Sequence, residues 1–159
     1  MNIRIGFGYD VHRLEENISL NIGGIQIPHY KGSYGHSDGD VLIHAICDAI
    51  LGAANLRDIG YHFPDTSDEL KGIDSKVLLK KTVGLLASEG YIIVNIDSTV
   101  CLQKPKLAGF VTQMQNILAE VMEIAPENIS IKATTTEKLG FEGSEKGISA
   151  YAVALIEKK

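Results

Sequence analysis

Several absences in this sequence restrict what the protein can be. Its 159 residues contain only two cysteines, Cys47 and Cys101, which are too few for a disulfide framework and favour a reducing compartment. Its apolar stretches all fall short of the length of a membrane span. The first residues, Met1-Asn2-Ile3-Arg4-Ile5, read as the start of a strand and lack the character of a signal or transit peptide. We therefore expect a soluble, cytoplasmic protein without a membrane partner.

Positive charge is also scarce. Lys and Arg number 15 against 20 Asp and Glu, a formal net charge of −5 at pH 7, and no run of basic residues occurs. Nonspecific binding to nucleic acid depends on clustered positive charge, so a nucleic-acid partner is not expected. Low-complexity linkers and internal repeats are missing as well. With 45% apolar residues, the sequence predicts one compact domain over residues 1–159.

The residue patterns predict an α+β fold. Strands are expected over 3–8, 91–101, 129–133 and 148–156, a hairpin around Gly23-Gly24, and helices from Asp40 to Asn55, after Asp74, and from Leu107 to before Pro126. This order favours a single-domain sandwich with helices on one face of a mixed, mostly four-stranded sheet. The alternation in 148–154 leaves neither face clearly polar, so we expect the second face of the sheet to be covered by self-association.

A carboxylate and two imidazoles form the first candidate site. Asp10 and His12 are two residues apart in an extended segment and point to the same face, and His44 can reach that point from a helix. Such a set leaves the fourth position of a tetrahedral zinc open, as in catalytic sites. An Asp-x-His pattern also ends many ordinary strands, so the pattern alone leaves both interpretations open.

The predicted first helix suggests how His44 is supported. Asp40, His44 and Asp48 recur at four-residue steps, on the side opposite the helix's apolar residues. A carboxylate behind a ligating imidazole commonly fixes its tautomer, and Asp48 is our candidate for that role. Cys47 lies one turn from His44, but its apolar neighbours indicate a buried, inert thiol.

Phosphate binding is the second chemical theme of the sequence. Ser37 stands at a helix start, where free backbone N–H groups attract anions. A threonine run at 134–136 is followed by Lys138, although threonines are also ordinary at a strand end. Between them, the carboxylate of Glu137 is suited to a hard cation such as Mg²⁺ or Mn²⁺ across a diphosphate.

Separate blocks of the chain together resemble a known enzyme family. They are His36-Ser37-Asp38-Gly39-Asp40, Asp58-Ile59-Gly60, Phe63-Pro64-Asp65 and Thr134-Thr135-Thr136-Glu137-Lys138-Leu139-Gly140-Phe141, together with Asp10, His12 and His44. In this order and spacing the chain resembles the 2-C-methyl-D-erythritol 2,4-cyclodiphosphate synthases of the non-mevalonate isoprenoid pathway, from about Ile3 to Ile156. The resemblance implies a phosphorus–oxygen lyase that closes 4-diphosphocytidyl-2-C-methyl-D-erythritol 2-phosphate into a cyclic diphosphate and releases CMP.

The same resemblance implies cofactors and an assembly. Zn²⁺ would be held by Asp10, His12 and His44, and a second divalent ion, Mg²⁺ or Mn²⁺, by Glu137 where it bridges the diphosphate. The nucleophile would be the substrate's own phosphate, so positioning and charge neutralisation would carry the rate. The family implication for assembly is a homotrimer with active sites at the subunit interfaces, and a cyclic assembly is compatible with the uncovered sheet face.

Further site residues are implied by the matching blocks alone. The predicted catalytic residues are His36, Ser37, Thr135 and Glu137, and the predicted substrate-binding residues are Asp58, Gly60, Asp65, Lys106, Thr134, Thr135 and Phe141. Two positions depart from the family pattern. Lys104 replaces a residue that is commonly small, and Ser144 stands where relatives often carry an arginine beside a central cavity that takes a prenyl diphosphate. We expect binding of such a lipid to be weakened here, unless Lys146 substitutes.

Two other functions fit part of the same pattern. A metal-dependent phosphohydrolase would activate water on zinc and cleave generic diphosphates. A non-catalytic trimeric scaffold would use zinc only for structure. An open coordination position and a separate diphosphate-metal site favour the cyclase over the scaffold, and CMP with a cyclic product separates the cyclase from the hydrolase.

Overall fold

The computed structural model describes residues 2–159, which form one five-stranded sheet, a separate two-stranded hairpin and five α-helices. The strands are β1 (Ile3–Glu16), β2 (Leu20–Ile22), β3 (Ile25–Ile27), β4 (Lys31–Ser33), β5 (Tyr91–Cys101), β6 (Ile129–Thr134) and β7 (Gly147–Lys158). The helices are α1 (Val41–Ala53), α2 (Ile59–His62), α3 (Ser75–Ser88), α4 (Val111–Met122) and α5 (Gly140–Gly143). The predicted α+β class and the hairpin are confirmed.

The main sheet has the strand order β4-β1-β7-β5-β6. It is mixed, because β5 and β6 run parallel whereas the other neighbours are antiparallel. The prediction of four strands is wrong by one: Lys31–Ser33 pairs with the far end of β1, at Leu14 to Glu16. Three residues of the sequence Lys-Gly-Ser carry too little strand pattern to be recognised, and their pairing partner lies beyond the apolar part of β1 that we predicted.

Helix α1 crosses β1 at two glycines. A Cβ atom on Gly6 would lie 1.9 Å from the carbonyl oxygen of Ala49, and one on Gly8 would lie 1.9 Å from that of Ala45. Only glycine permits backbones to approach this closely. Because side chains alternate along a strand, Asp10 lies on the same face of β1 as the two glycines, and so does His12. The tight crossing therefore brings these two side chains to the face that α1 covers.

The predicted polar side of α1 is not solvated. Asp40 is fully buried and caps the helix, accepting a hydrogen bond from the backbone N–H of Ile43. Its carboxylate also accepts from the N–H groups of Gly23 and Gly24 in the hairpin turn, at 3.0 and 2.7 Å. Burial raises the pKa of this carboxyl, against the lowering effect of these backbone hydrogen bonds. Asp40 is thus a structural anchor that ties the hairpin to the start of α1.

The opposite face of the sheet is uncovered, and it is apolar along β1 and the adjoining part of β7. Along β1, Ile5 is 71% exposed and Phe7 is 64% exposed, and the neighbouring Tyr9 stacks on Tyr151 of β7 with ring centroids 5.1 Å apart. The residues of β7 that face the helices are buried: Ile148, Ala150, Ala152, Ala154 and Ile156. The sheet therefore has one face in the core and a second face, aromatic at β1 and β7, open to solvent. No helix among residues 2–159 has both the length and the apolar character needed to cross a membrane.

Candidate active site

Three ligand atoms converge where β1 meets α1. Oδ2 of Asp10 lies 2.9 Å from Nε2 of His12 and 3.0 Å from Nδ1 of His44, and the two nitrogens are 3.1 Å apart. Nitrogen and oxygen ligands bound at about 2.0–2.1 Å to one tetrahedral zinc lie roughly 3.3 Å from each other. The three residues thus form a group that fits one divalent ion with a small expansion, as the sequence predicted.

The outer hydrogen bonds of the two imidazoles explain why their inner nitrogens can act as ligands. Nδ1 of His12 lies 2.9 Å from the carbonyl oxygen of Tyr34, which can only accept, so this nitrogen carries the proton. Nε2 of His44 lies 2.9 Å from Oγ of Ser75 and 3.1 Å from Oγ of Ser37. With protons on the outer nitrogens, the neutral rings direct two lone pairs and a carboxylate at one point, and a cation there relieves their repulsion.

The ionisation of this group reflects its internal contacts. Burial alone would raise the pKa of the Asp10 carboxyl, but hydrogen bonds with His12 and His44 outweigh it and lower that pKa to about 2. For His12, burial would lower the pKa, yet the hydrogen bond and charge of Asp10 raise it above its ordinary value. Asp10 is therefore a carboxylate at neutral pH and is ready to bind a cation.

The three ligands open into a cavity of about 360 Å³. Predicted site residues among its lining are Asp10, His12, His36, Ser37, His44, Gly60 and Asp65, joined by the apolar residues Ile59, Phe63, Leu70, Ile73 and Leu78. His36 is oriented by a 3.1 Å hydrogen bond from its Nε2 to the carbonyl oxygen of Ser67. The cavity combines the three candidate metal ligands with an apolar wall, and small-molecule sites commonly pair a few polar groups with apolar lining in this way.

Asp48 does not contact His44 in the way we predicted. Its carboxylate accepts a 2.7 Å hydrogen bond from the backbone N–H of Ile59, which leads into α2. Burial raises the pKa of Asp48, and the hydrogen bond from Ile59 partly offsets this. Asp58, another predicted site residue, caps the same short helix by accepting from the N–H of Tyr61 at 2.9 Å. These two carboxylates position the segment that carries Gly60 to the cavity wall.

A second cavity of about 300 Å³ lies beside the ends of β5 and β6. It is lined by the predicted residues Lys106, Thr134 and Thr135, with Gln103, Pro105 and others from the loop after β5 and the end of β6. The first cavity lies beside the middle of β1, at Asp10 and His12, three strand positions away from β6 in the sheet order. At about 4.8 Å per strand, the two groups of predicted residues are roughly 14 Å apart within one chain.

The remaining predicted residues lie on the turn between β6 and β7. Glu137 is exposed, and its backbone has the left-handed conformation with φ 54°. Its N–H donates to Oγ1 of Thr135 at 3.4 Å. Phe141 packs over Gly147, where a Cβ atom would lie 2.6 Å from its ring. The exposed Ser144 donates its hydroxyl to the carbonyl oxygen of Phe141 at 3.3 Å. Within one chain, Glu137 does not line the cavity that holds the three candidate metal ligands.

Comparison with known proteins shows to which protein family the chain belongs. A family model described as the YgbB family matches residues 3–157. The chain belongs to the YgbB family. A relative from Bacteroides thetaiotaomicron, named 2-C-methyl-D-erythritol 2,4-cyclodiphosphate synthase, is 63% identical over 158 residues, which cover 99% of each chain. The resemblance that we inferred from the sequence blocks is thereby confirmed.

Solved structures agree with this membership in the YgbB family. The bifunctional IspDF from Campylobacter jejuni matches with a TM-score of 0.95 and 42% identity, covering 99% of this chain; this chain spans only 42% of that longer protein. A structure of 2C-methyl-D-erythritol-2,4-cyclodiphosphate synthase in its CDP-bound form matches with a TM-score of 0.89 and 35% identity, over 97% of this chain and 100% of that one.

Two residues beside the candidate metal site were missed by the sequence analysis. Ser75 begins α3 and contacts Nε2 of His44, and Asp38 accepts hydrogen bonds from both the N–H and the hydroxyl of Ser75. They are 37 residues apart, and no periodic pattern links the loop before α1 to the start of α3. Only the His36-Ser37-Asp38-Gly39-Asp40 block pointed towards this region, and there we assigned roles to its first two residues alone.

Proposed function

We propose that this YgbB-family chain converts 4-diphosphocytidyl-2-C-methyl-D-erythritol 2-phosphate to 2-C-methyl-D-erythritol 2,4-cyclodiphosphate and CMP, as a phosphorus–oxygen lyase of isoprenoid precursor synthesis in the cytoplasm. The observation that carries the proposal is the convergence of Asp10, His12 and His44 on one cavity. It occurs in a chain that is 63% identical, along its full length, to a relative named for this product. The 31P NMR experiment described below tests the proposal.

Asp10, His12 and His44 would hold a divalent ion, for which zinc suits the ligand set. When bound, it would supply Lewis-acid stabilisation to the phosphoryl oxygens. Glu137 would hold a second divalent ion, Mg²⁺ or Mn²⁺, across the diphosphate, and its exposed position leaves its carboxylate accessible for this. The exposed residues Thr134, at the end of β6, and Thr135, which follows it, would orient phosphate oxygens through their hydroxyls.

The reaction would need little covalent chemistry from the protein. An oxygen of the substrate's 2-phosphate would attack the β-phosphorus, the bond from that phosphorus to the α-phosphate oxygen would break, and CMP would leave with the electron pair. The attacking phosphate is anionic at neutral pH, so no protein nucleophile is required. Ser37 can accept from His44 and still donate its own hydroxyl proton to a phosphate oxygen, and His36 lines the same cavity. Positioning by these residues would supply much of the rate.

The protein would act as a homotrimer with active sites at the subunit interfaces. Ile5, Phe7, Tyr9 and Tyr151 are exposed large apolar side chains grouped on one face of the sheet, and contiguous exposed apolar surface often marks a protein–protein contact. A cyclic assembly would bury this surface on all copies by one symmetric contact. It would also allow the second cavity of one subunit, which contains Lys106 and Thr134, to face the metal-ligating cavity of the next. A prenyl diphosphate is the proposed occupant of the central space.

31P NMR of the cytidylated substrate tests this function directly. We expect resonances of a cyclic diphosphate and of CMP when the protein is supplied with Zn²⁺ and Mg²⁺, and unchanged substrate after chelation. Release of an acyclic diphosphate would support the phosphohydrolase instead. If substrate persisted with folded, metal-loaded protein, the non-catalytic scaffold would become the better explanation. Sedimentation velocity on the same sample would test the trimer, for which one species of three times the chain's 17.2 kDa is expected.

A further inference from the structure

We propose that Ser75 and Asp38 act together as the positioning pair that sets the tautomer and orientation of His44 for metal binding. The proposal rests on the metal site proposed above and extends it to two residues outside the ligand set. It differs from our prediction from sequence, which assigned this support to Asp48.

The pair forms a continuous hydrogen-bonded chain behind His44. Nε2 of His44 lies 2.9 Å from Oγ of Ser75, and this hydroxyl donates to Oδ1 of Asp38 at 2.5 Å. Because the single hydroxyl proton of Ser75 is directed to the carboxylate, Ser75 can only accept from His44. His44 must therefore carry its proton on Nε2 when neutral, which leaves the lone pair of Nδ1 facing Asp10, 3.0 Å away.

Asp38 is itself held firmly on several sides. Its Oδ2 accepts from the backbone N–H of Ser75 at 3.0 Å, and its Oδ1 accepts from the N–H of Asp40 at 3.2 Å. Its own N–H donates to the carbonyl oxygen of Ile73 at 3.1 Å. A carboxylate is favoured at this point because it accepts from the N–H of Ser75, the first residue of α3, whose N–H has no carbonyl partner within the helix. The acceptor of the chain is thus fixed relative to both α1 and α3.

Ser37 is the competing partner of His44, since its Oγ lies 3.1 Å from the same Nε2. The two serines differ in their surroundings: Ser75 is 0% exposed, whereas Ser37 lines the cavity. A phosphate bound in the cavity can therefore form a hydrogen bond with Ser37, whereas Ser75 is buried away from both solvent and ligand. The buried serine keeps its hydrogen bond to His44 at every stage of substrate binding, which is what a positioning residue requires.

Two variants with matched controls test the pair. Ser75→Ala removes the acceptor and Asp38→Asn removes the negative charge that orients it. Thr82→Val is the control for Ser75→Ala, because it removes another fully buried hydroxyl from α3, two turns further on. Asp74→Asn is the control for Asp38→Asn, because Asp74 also binds a backbone N–H at the start of α3 but does not contact His44. The controls report the effect of perturbing α3 alone.

Metal affinity is measured by competition with a chromophoric chelator, and ligand geometry by the absorption spectrum of Co²⁺ added to metal-free protein. We expect both test variants to lose about tenfold to a hundredfold in Zn²⁺ affinity, the usual effect of removing a partner behind a ligating histidine, with an altered Co²⁺ spectrum. The controls should stay within about twofold of the wild type. Equal losses in test and control variants, or unchanged affinity in Ser75→Ala and Asp38→Asn, would overturn the proposal.

A measurement on the unmutated protein keeps the proposal testable if a variant fails to fold. Long-range 1H–15N correlation on metal-free protein, above the pH at which the histidines titrate, reports which ring nitrogen of His44 carries the proton. We expect protonated Nε2; protonated Nδ1 would refute the pair's role. Failure of the wild type to bind Zn²⁺, or binding that survives His44→Ala, would instead refute the metal site itself. The two failures are therefore distinguishable.

Discussion

Nε2 of His12 lies 3.1 Å from Nδ1 of His44, although the outer hydrogen bonds of both rings leave these two nitrogens without protons in the neutral state. Two lone pairs at this distance repel, and the nearby carboxylate of Asp10 adds to the negative potential. A positive charge at the centre of the arrangement, either a proton or a metal ion, would relieve this repulsion. Protons and metal are therefore expected to compete here, with opposite dependence on pH.

The first prediction concerns the pH dependence of the metal-free protein. The pKa of His12 is raised from 6.5, so its contribution to stability is complete below about pH 6.5 and is lost as pH rises through the higher folded value. The pKa of Asp10 is lowered from 3.8 to about 2, so its contribution is present above about pH 4 and is lost as pH falls towards 2. This pair should therefore stabilise the metal-free protein most between about pH 4 and 6.5.

Thermal unfolding of metal-free and Zn²⁺-loaded protein across that range checks the prediction. Zn²⁺ should raise the unfolding temperature most at neutral pH and progressively less on acidification, because bound protons must leave the imidazoles before the metal can bind. Parallel pH curves for the two forms, with a constant offset, would contradict the competition.

The second prediction concerns the metal ligands. His44→Ala should abolish binding of Zn²⁺ at this site and cyclisation together, because two ligands remain of the three that one subunit provides. Metal content by mass spectrometry and product formation by 31P NMR measure the two effects. His29→Ala, which removes a histidine that stacks on Tyr30 away from the cavity, should keep both. Activity retained in an Asp10→Ala, His12→Ala double variant would disprove the metal assignment.

The third prediction separates the two divalent ions. Glu137→Gln should keep Zn²⁺ at wild-type stoichiometry, since Glu137 does not line the cavity of the three ligands. Its turnover should fall roughly 100-fold, the scale of losing one electrostatic contact to a transition state, and more Mg²⁺ should be needed for half-maximal rate. Glu127→Gln is a control at a short turn before β6. An unchanged Mg²⁺ requirement would refute the role of Glu137.

The fourth prediction concerns the crossing of α1 over β1. Gly8→Ala should destabilise the protein by more than about 3 kcal/mol, because its Cβ would meet the backbone of Ala45 and neither element can yield. Gly52→Ala, on the exposed side of α1 where the nearest atom is 4.0 Å from the new Cβ, should instead be neutral or stabilising by up to about 1 kcal/mol. Urea unfolding of both variants measures the difference; similar stabilities would contradict the packing argument.

The fifth prediction concerns Ser144. Wild-type protein should bind geranyl diphosphate weakly, and Ser144→Arg should tighten binding about tenfold or more, since one hydrogen bond to a charged group contributes about 1.5 kcal/mol or more. Ser144 is exposed, so an arginine fits without disturbing the core. Isothermal titration calorimetry compares the two, with Ser144→Ala as a neutral control. Equal affinity in the wild type and Ser144→Arg would contradict the expectation that the serine weakens binding.

The parts of the site that depend on local geometry were predictable from sequence. The two-residue spacing of Asp10 and His12 determines their common face wherever the backbone is extended, and the helix that follows Asp40 determines where His44 projects. The partner of His44 was not predictable, because Ser75 reaches it only through the packing of α3 against α1. The row at Asp40, His44 and Asp48 suggested a polar helix face, whereas tertiary contacts bury the first two.

The packing of α1 against Gly6 and Gly8 also places Nδ1 of His44 3.0 Å from Oδ2 of Asp10. The three ligands come from β1 and α1, the two elements that pack together at Gly6 and Gly8, so separation of these elements would also separate the ligands. A bound cation should therefore slow amide hydrogen exchange throughout α1, well beyond the turn that contains His44. A partly unfolded form in which α1 has left the sheet should lose the site for the cation, so unfolding of the core should be accompanied by metal release.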